Sequence, residues 1–292
     1  MSSANPADYT HGNPYGELYI YYLSGRVPAS AERTLAGFLG NWEEDGFSFL
    51  FFSQPANGQV AMLLKASPEL ALLDSFHMRY EEWQGAAASA LRIGKFHVRP
   101  PWLIAAADRC APEVSLPIIL DPGVVFGTGA HATTRDCLEA VEIAVCAGGC
   151  DSVLDLGTGT GLLALAATQS GCGRCLAVDL NALAAETASN NVRLNHMEDR
   201  ILVIRGRAED FIDLPADLLI ANIHFEIMQQ LIRSAGFLTK KRFILSGLMR
   251  SEAKAVRDFL CRAPVTILQE WSSDGIWHTF LGTATRFGNA GN

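Results

Sequence analysis

No apolar run in this chain approaches the roughly 18 residues that a membrane-spanning helix needs, so no membrane partner is expected. Basic residues are the minority: 23 Lys and Arg stand against 31 Asp and Glu, a formal net charge of −8. A general grip on nucleic acid backbone draws its affinity from a basic face, so direct, sequence-specific nucleic acid binding is not expected either. A basic partner is compatible with the charge. The first residues, Met1 to Gly16, are polar and rich in Pro, Asn and Gly. They lack the basic start and apolar stretch of a secretory signal. Cysteine is sparse and odd in number, seven in 292 residues, which suits a reduced compartment better than a disulfide framework. The expected location is therefore the cytoplasm. Internal repeats and low-complexity tracts are also absent.

What is present is globular material. Hydrophobic residues make up 49% and charged residues 18%, enough for a sizeable core in one large domain or two ordinary ones. Residues 1–84 read as a small α+β domain. Glu17 to Leu23 has the aromatic and branched composition of a strand. Val27-Pro28-Ala29-Ser30 opens a helical stretch expected to run through Leu39. Asp45-Gly46 turns the chain into an aromatic strand, Phe47 to Phe52, and Asn57-Gly58 reads as a hairpin turn into a strand from Val60 to Leu64. Residues 85–117 read as a connector: an alanine-rich helix from Glu81 to Leu91, a short strand Phe96 to Val98, and an irregular passage after Pro100-Pro101.

Over residues 118–292 strand-like runs alternate with helical stretches. The strands are Ser152 to Leu156, Cys175 to Asp179, Ile201 to Ile204, Leu218 to Asn222 and Phe243 to Ser246. Leu162 to Ser170 and Leu183 to Leu194 lie between them as amphipathic segments. That alternation implies an α/β fold with a parallel sheet covered by helices on both faces. Val265 to Glu270 and Ile276 to Gly282 read as a terminal hairpin, hence an antiparallel edge.

The chemistry centres on Val153-Leu154-Asp155-Leu156-Gly157-Thr158-Gly159-Thr160-Gly161, between a strand and a helix. Glycines there let the backbone approach a ligand at a helix N-terminus. The spacing is Gly-x-Gly-x-Gly, not the dinucleotide Gly-x-Gly-x-x-Gly. Asp155, just before the loop, would repel a pyrophosphate and attract an ammonium or sulfonium; S-adenosylmethionine carries both. Asp179 ends the next strand, where carboxylates accept hydrogen bonds from ribose hydroxyls. Upstream, Asp121-Pro122-Gly123-Val124-Val125-Phe126-Gly127-Thr128-Gly129-Ala130-His131-Ala132-Thr133-Thr134 runs into a helix with apolar positions Leu138, Val141 and Val145. Thr133 or Thr134 is expected as its N-cap, and its free N–H groups suit a carboxylate. Downstream, Asp217 to Asn222 is a strand ending in an amide. Asp155, Asp179 and Asn222 thus all sit at carboxyl ends of strands, where open parallel sheets bind ligands.

With these residues in hand, the chain resembles the bacterial methyltransferase family that modifies the eleventh protein of the large ribosomal subunit. The most specific part is Asp121-Pro122-Gly123-x-x-Phe126-Gly127-Thr128-Gly129-x-His131-x-Thr133-Thr134. Asp155-x-Gly157-x-Gly159-x-Gly161, Val178-Asp179, Asn191 with Asn195, Ala221-Asn222-Ile223 and Leu245-Ser246-Gly247 add to it. The resemblance is strong from Leu116 to Leu248 and fainter outside. It implies a class I, Rossmann-like methyltransferase fold with a seven-stranded, mostly parallel sheet and an N-terminal substrate-recognition domain. It implies S-adenosylmethionine as cofactor, S-adenosylhomocysteine as product, and amino groups of lysines or a protein N-terminus as acceptors. The cofactor contacts it suggests, together with the motif reading, are Phe126, Gly127, Thr128, Thr134, Asp155, Gly157, Gly159, Gly161, Asp179 and Asn222.

Asn222 is expected to orient the acceptor amine, and His224, two residues on, is a candidate base competing with a plain packing role at a helix start. His131 is expected to order its loop. The chain departs from the family pattern at Asn222-Ile223-His224-Phe225, at Val125 and at Asp179-Leu180-Asn181-Ala182. These departures keep two rivals in view: another protein or small-molecule acceptor, and a non-catalytic cofactor-binding regulator or assembly factor. Cys146, Cys150, Cys172 and Cys175 fall in two turns on the side opposite the cofactor. A four-thiol zinc site there is the lesser reading, and no metal is expected.

Overall fold

The computed structural model describes residues 13–32, 34–84, 89–103 and 115–285. The N-terminal part is an antiparallel sheet ordered β2-β3-β1-β4. Its strands are β1 (Glu17–Ser24), β2 (Phe38–Glu44), β3 (Phe47–Phe52) and β4 (Ala71–Arg79). Alternation gives the sheet two apolar faces. Tyr21, Leu23, Leu50 and Phe52 pack on helix α2 (Asn57–Ala66) through Val60 and Leu63. Leu18, Ile20 and Phe51 face the other way.

Two stretches fold differently from what their sequence predicts. The helix opened at Ala29 ends at Glu32 (α1, Ala29–Glu32). Phe38 then pairs with Phe52, because Gly37 turns the backbone through a positive φ and sheet pairing claims the rest of the stretch. Asn57-Gly58 starts a helix instead of a hairpin. The Tyr21 hydroxyl donates to Asn57 Oδ1 at 2.6 Å and accepts from Ala56 N at 2.9 Å. Val60 and Leu63, three apart, satisfy a helical face rather than an alternating one.

Helix α3 (Tyr80–Gln84) begins at Tyr80, and Leu91 belongs to β5 (Leu91–Ile93), so the alanine-rich helix does not reach Leu91. Residues 85–88 of that reading, and 104–114 of the connector, lie outside the described residues. β5 joins β6 (Phe96–Arg99) and β7 (Leu116–Ile119) in a small sheet. Its Ile93, Phe96, Val98 and Ile118 share one apolar cluster with the large domain.

The large sheet has seven strands in the order β10-β9-β8-β11-β12-β14-β13. They are β8 (Ser152–Leu156), β9 (Arg174–Asp179), β10 (Ile201–Arg205), β11 (Leu218–Asn222), β12 (Arg242–Met249), β13 (Val265–Ser273) and β14 (Trp277–Ala284). β8 to β12 run parallel. β14 is antiparallel to both neighbours, so the antiparallel strand sits one place in from the edge that β13 forms. Successive residues feed opposite layers. Val153, Ile220 and Ile244 join the layer of α4 (Ala132–Cys146) and α5 (Leu162–Gln169). Leu154, Leu219 and Leu245 join that of α8 (Phe225–Arg233) and α9 (Arg250–Leu260). This double burial is why these strands read as continuous apolar runs. α6 (Ala182–Leu194) and the short α7 (Ala208–Phe211) complete the fold. Among the described residues no helix is long and apolar enough to cross a membrane.

The chain winds outward from β8 in one direction and from β11 in the other. The carboxyl ends of these two adjacent strands therefore border the topological switch point, the usual ligand site of open α/β sheets.

Candidate active site at the sheet switch point

Gly157, Gly159 and Gly161 all adopt positive φ, at 76°, 56° and 83°. A Cβ on Gly157 would lie 2.1 Å from Ile223 Cγ2, and one on Gly159 would lie 2.7 Å from the Phe126 carbonyl oxygen. The loop is thus pressed against both flanking segments, and only glycine fits. It is tied down by Gly157 N and Thr158 N donating to Val178 O, and by Thr160 Oγ1 donating to Gly127 O at 2.7 Å.

Asp155 is fully buried beneath this loop. One carboxylate oxygen accepts from Thr158 Oγ1 at 2.6 Å, and the other is buried without a partner. Burial pushes its pKa up to about 7. The side chain braces the loop from below. Asp179 accepts from Gly159 N and Asn181 N, both at 2.9 Å, and burial raises its pKa as well. Each of its oxygens retains a lone pair for a further donor.

The helix after the upstream loop is capped by neither Thr133 nor Thr134. His131 is the N-cap, its Nδ1 accepting from Thr133 N at 3.4 Å. The helix begins at Ala132, two residues earlier than a Thr133 cap would start it, and both threonines become part of its first turn. Thr134 is buried and its Oγ1 has no partner. His131 Nδ1 lies 2.8 Å from Thr133 Oγ1, which accepts from Asn222 Nδ2 at 3.4 Å. Phe126 and Trp277 meet the His131 ring edge-on, at 5.3 and 5.0 Å between centroids. Burial lowers the His131 pKa and so favours the neutral ring. Thr128 is buried and receives Ala130 N only at 3.5 Å.

At the end of β11, Asn222 Oδ1 and Ile223 O converge. A Cβ on Gly247 would lie 3.1 Å from the first and 2.9 Å from the second. Gly247 has φ 82° and sits in the irregularity where β12 and β14 shift register. His224 follows as the N-cap of α8, exposed and making no capping bond with its side chain.

Several contributors are given no specific role by the sequence. Asn191, fully buried, clamps three segments: its Nδ2 donates to Asp121 O and Thr160 O, both at 2.9 Å, and its Oδ1 accepts from Asp121 N at 2.7 Å. Tyr80 Oη and Gln84 Nε2 donate to Gly123 O at 2.7 and 3.0 Å, and Trp83 Nε1 donates to Val124 O at 3.2 Å. The N-terminal part therefore grips the loop that borders the site. Val124 and Val125 pack with Leu18, Ile20, Phe51 and Tyr80. Of the four thiols, Cys150 and Cys172 meet at 3.0 Å while Cys146 is exposed beside Lys95. Among the described residues no three metal-binding side chains gather, so the four-thiol cluster does not form.

The profile of the family described as ribosomal protein L11 methyltransferase (PrmA) matches residues 65–285. The chain belongs to this family. It is 39% identical over 191 residues to the ribosomal protein L11 methyltransferase of Anoxybacillus flavithermus, covering 64% of this chain and 59% of that protein. It is 37% identical over 184 residues to that of Geobacillus thermodenitrificans, covering 61% and 57%. The matched part thus spans less than two thirds of these relatives' own length. The crystal structure of ribosomal protein L11 methylase from Lactobacillus delbrueckii subsp. bulgaricus superposes with a TM-score of 0.55 at 25% identity, over 67% of this chain and 98% of that one. The family's class I methyltransferase fold and the seven-stranded sheet described above agree.

Proposed function

We propose that this chain transfers methyl groups from S-adenosylmethionine to amino groups of a protein, lysine side chains or the N-terminal amine, with a large-subunit ribosomal protein as acceptor. The observation that carries the reading is the pair of acceptor oxygens, Asn222 Oδ1 and Ile223 O, that lie together against Gly247, while the Ile223 side chain presses on the glycine loop at the switch point. Two such oxygens can take the two hydrogens of a neutral amine and aim its remaining lone pair.

The residues present fit the cofactor. Thr134 Oγ1 and Asp155 are buried with polar atoms lacking partners, and the cradle of Gly157, Gly159 and Gly161 leaves no room for side chains. Phe126, Gly127 and Thr128 form the loop opposite. We assign Thr134 and the first turn of α4 to the carboxylate, Asp179 to the ribose hydroxyls, and Asp155 to support of the loop. When bound, S-adenosylmethionine supplies a methyl group activated by its sulfonium.

This chain's own residues must deliver the nucleophile. A lysine amine titrates near 10.4 in water, so it has to lose a proton before it can react. Ile223, Phe126 and Trp277 make the mouth partly apolar, and desolvation favours the neutral amine. Asn222 Nδ2 is engaged by Thr133, which leaves Oδ1 for the acceptor. Positioning of this kind supplies much of the acceleration of an in-line displacement. His224, exposed two residues past Asn222, is assigned the lesser role of accepting the shed proton from the solvent side. Residues 1–84 would select the acceptor, 85–117 connect, and 118–292 hold the cofactor, in a cytoplasmic protein.

The test is transfer of labelled methyl groups to the unmethylated eleventh large-subunit ribosomal protein, read by gel and intact mass. Mass gains in single-methyl steps, lost in Asn222→Ala, are the expected outcome. No label on that protein, from enzyme that binds the cofactor, would remove this acceptor.

A further inference from the structure

Two buried thiols take no part in the site at the switch point. Cys150 lies two residues before β8 and Cys172 two residues before β9, and the ladder between those strands opens with Ser152 opposite Arg174. The same register carried back two residues sets Cys150 opposite Cys172, and their Sγ atoms meet at 3.0 Å. Adjacent strands lie about 4.8 Å apart, inside the roughly 4.4–6.8 Å between Cα atoms that a disulfide spans. Closing the bond needs the sulfurs to approach by about 1 Å. Both cysteines belong to the apolar layer of α4 and α5.

The turns that carry them are held by cations. Arg242 donates to Ala144 O at 2.9 Å and to Gly148 O at 2.7 Å. Lys241 pairs with Asp217 at 2.7 Å, and Asp217 in turn accepts from Asp151 N and Ser152 N. Arg200 donates to Thr168 O at 3.1 Å and to Cys172 O. Fixed backbones on both sides keep the two sulfurs facing. The hydrogen bond from Cys172 draws the Cys150 pKa down, with help from Arg242 and against burial, Asp217 and Asp151. The same bond, with burial, raises that of Cys172. Cys150 is thus the nucleophile and Cys172 its resolving partner. Cys150 is also the nearer to solvent: it follows the exposed Gly148 and Gly149, whereas Cys172 is fully buried.

We propose that Cys150 and Cys172 form a site of reversible oxidation, closed to a disulfide by hydrogen peroxide and reopened by a small thiol. The Cys150 thiolate attacks the peroxide: an S–O bond forms, the O–O bond breaks, and the departing hydroxide takes a proton from solvent to become water. The Cys172 sulfur then attacks the Cys150 sulfur. The S–S bond forms, the S–O bond breaks, and the second hydroxide leaves with the Cys172 proton as water. Two molecules of a thiol reverse the bond by exchange and leave as their own disulfide. In a reducing compartment such a bond is transient. Its consequence is set by the chain it encloses. The ring closed at Cys150 and Cys172 contains β8, Gly157, Gly159, Gly161 and α5, the whole element that forms the glycine loop. Such a ring disfavours the unfolded chain, and it closes at the amino ends of β8 and β9, away from Asp179 and Asn222. Oxidation therefore holds the loop-bearing element folded. This inference goes beyond the methyl-transfer reading and does not depend on it.

The test uses the full-length protein, reduced, freed of reductant and exposed to hydrogen peroxide, then alkylated, digested and read by mass. The expected product is a peptide pair linked through Cys150 and Cys172, two hydrogens lighter than the free peptides together and separated by dithiothreitol. Oxidised wild type should melt roughly 5–10 °C above reduced wild type in calorimetry. Cys172→Ala should melt no higher after peroxide than before, and its Cys150 should stop at the sulfenic acid, trapped by dimedone. Comparing two states of one protein keeps any folding cost of the substitution out of the result. Cys146→Ser, at an exposed thiol, should behave as wild type. Recovery of both Cys150 and Cys172 as free thiols, at a peroxide concentration that oxidises Cys146, would overturn the proposal. So would linkage of either one to a different cysteine. A linked pair with no rise in melting temperature would overturn the stabilising consequence.

Discussion

Replacing Asp155 by Asn should stabilise the cofactor-free protein, and by an amount that grows with pH. The carboxyl is fully buried with one oxygen unpartnered, and desolvation pushes its pKa up to about 7. In the unfolded chain the same group titrates near 3.8. The native state therefore binds this proton more tightly than the unfolded state does. Stability is unaffected below about pH 4, declines as pH rises toward 7, and stays flat beyond. At 1.36 kcal/mol per pH step the full loss is on the order of 4 kcal/mol. Asparagine carries no charge, and the Thr158 hydroxyl can accept from an amide as readily as it donates to a carboxylate. Urea unfolding of both proteins between about pH 4.5 and 8 should show the variant's advantage rising toward that figure. Binding a cation-bearing cofactor should favour the ionised carboxyl. Calorimetry near pH 6 in buffers of different ionisation heat should then detect proton release from wild type and less from the variant. A stability difference that is constant with pH would show that Asp155 does not titrate in this window. Buffer-independent heats that match between the two proteins would separate its charge from the ligand.

Other consequences follow from distances at the same site. Gly157→Ala forces a side chain into left-handed backbone and against Ile223; it should cost about 3 kcal/mol in unfolding and abolish cofactor binding by calorimetry. Asn222→Ala should lower kcat about 100-fold, because acceptor orientation is lost, with a smaller weakening of cofactor binding; a kcat equal to that of wild type would put Asn222 in the wrong role. Thr133→Val removes the hydroxyl between His131 and Asn222 and should reduce kcat about tenfold, with Thr133→Ser restoring it; equal activity of Val and Ser would mean that Asn222 is aimed without this hydroxyl. Tyr80→Phe deletes the bond to Gly123 O and should raise the cofactor KM severalfold at a stability cost of about 1 kcal/mol, measured by kinetics and denaturation.

How much of this could be read beforehand depended on how far apart the deciding contacts lie. The glycine loop and the strand ends at Asp155, Asp179 and Asn222 were legible because positive φ and carboxyl-end placement are set within a few residues. The strands of the large sheet were legible because burial on both faces leaves continuous apolar runs. The upstream cap went to His131 instead of a threonine because three neighbouring side chains there can cap a helix, and contacts to Asn222, Phe126 and Trp277 select among them. Asn57-Gly58 has hairpin chemistry, but the Tyr21 hydroxyl, a strand away, fixes it as a helix start. Asp155 lies where its motif predicts, yet its burial depends on how Thr158 folds over it, so its charge state could not be read from its neighbours in sequence. The grip of Tyr80, Trp83 and Gln84 on Gly123 and Val124 is the extreme case. Those carbonyls look like ordinary loop atoms until the N-terminal sheet packs beside them. That grip also couples packing of the N-terminal part to the loop bordering the proposed cofactor site. A change in the N-terminal part can therefore alter cofactor affinity without touching a single cofactor-binding side chain.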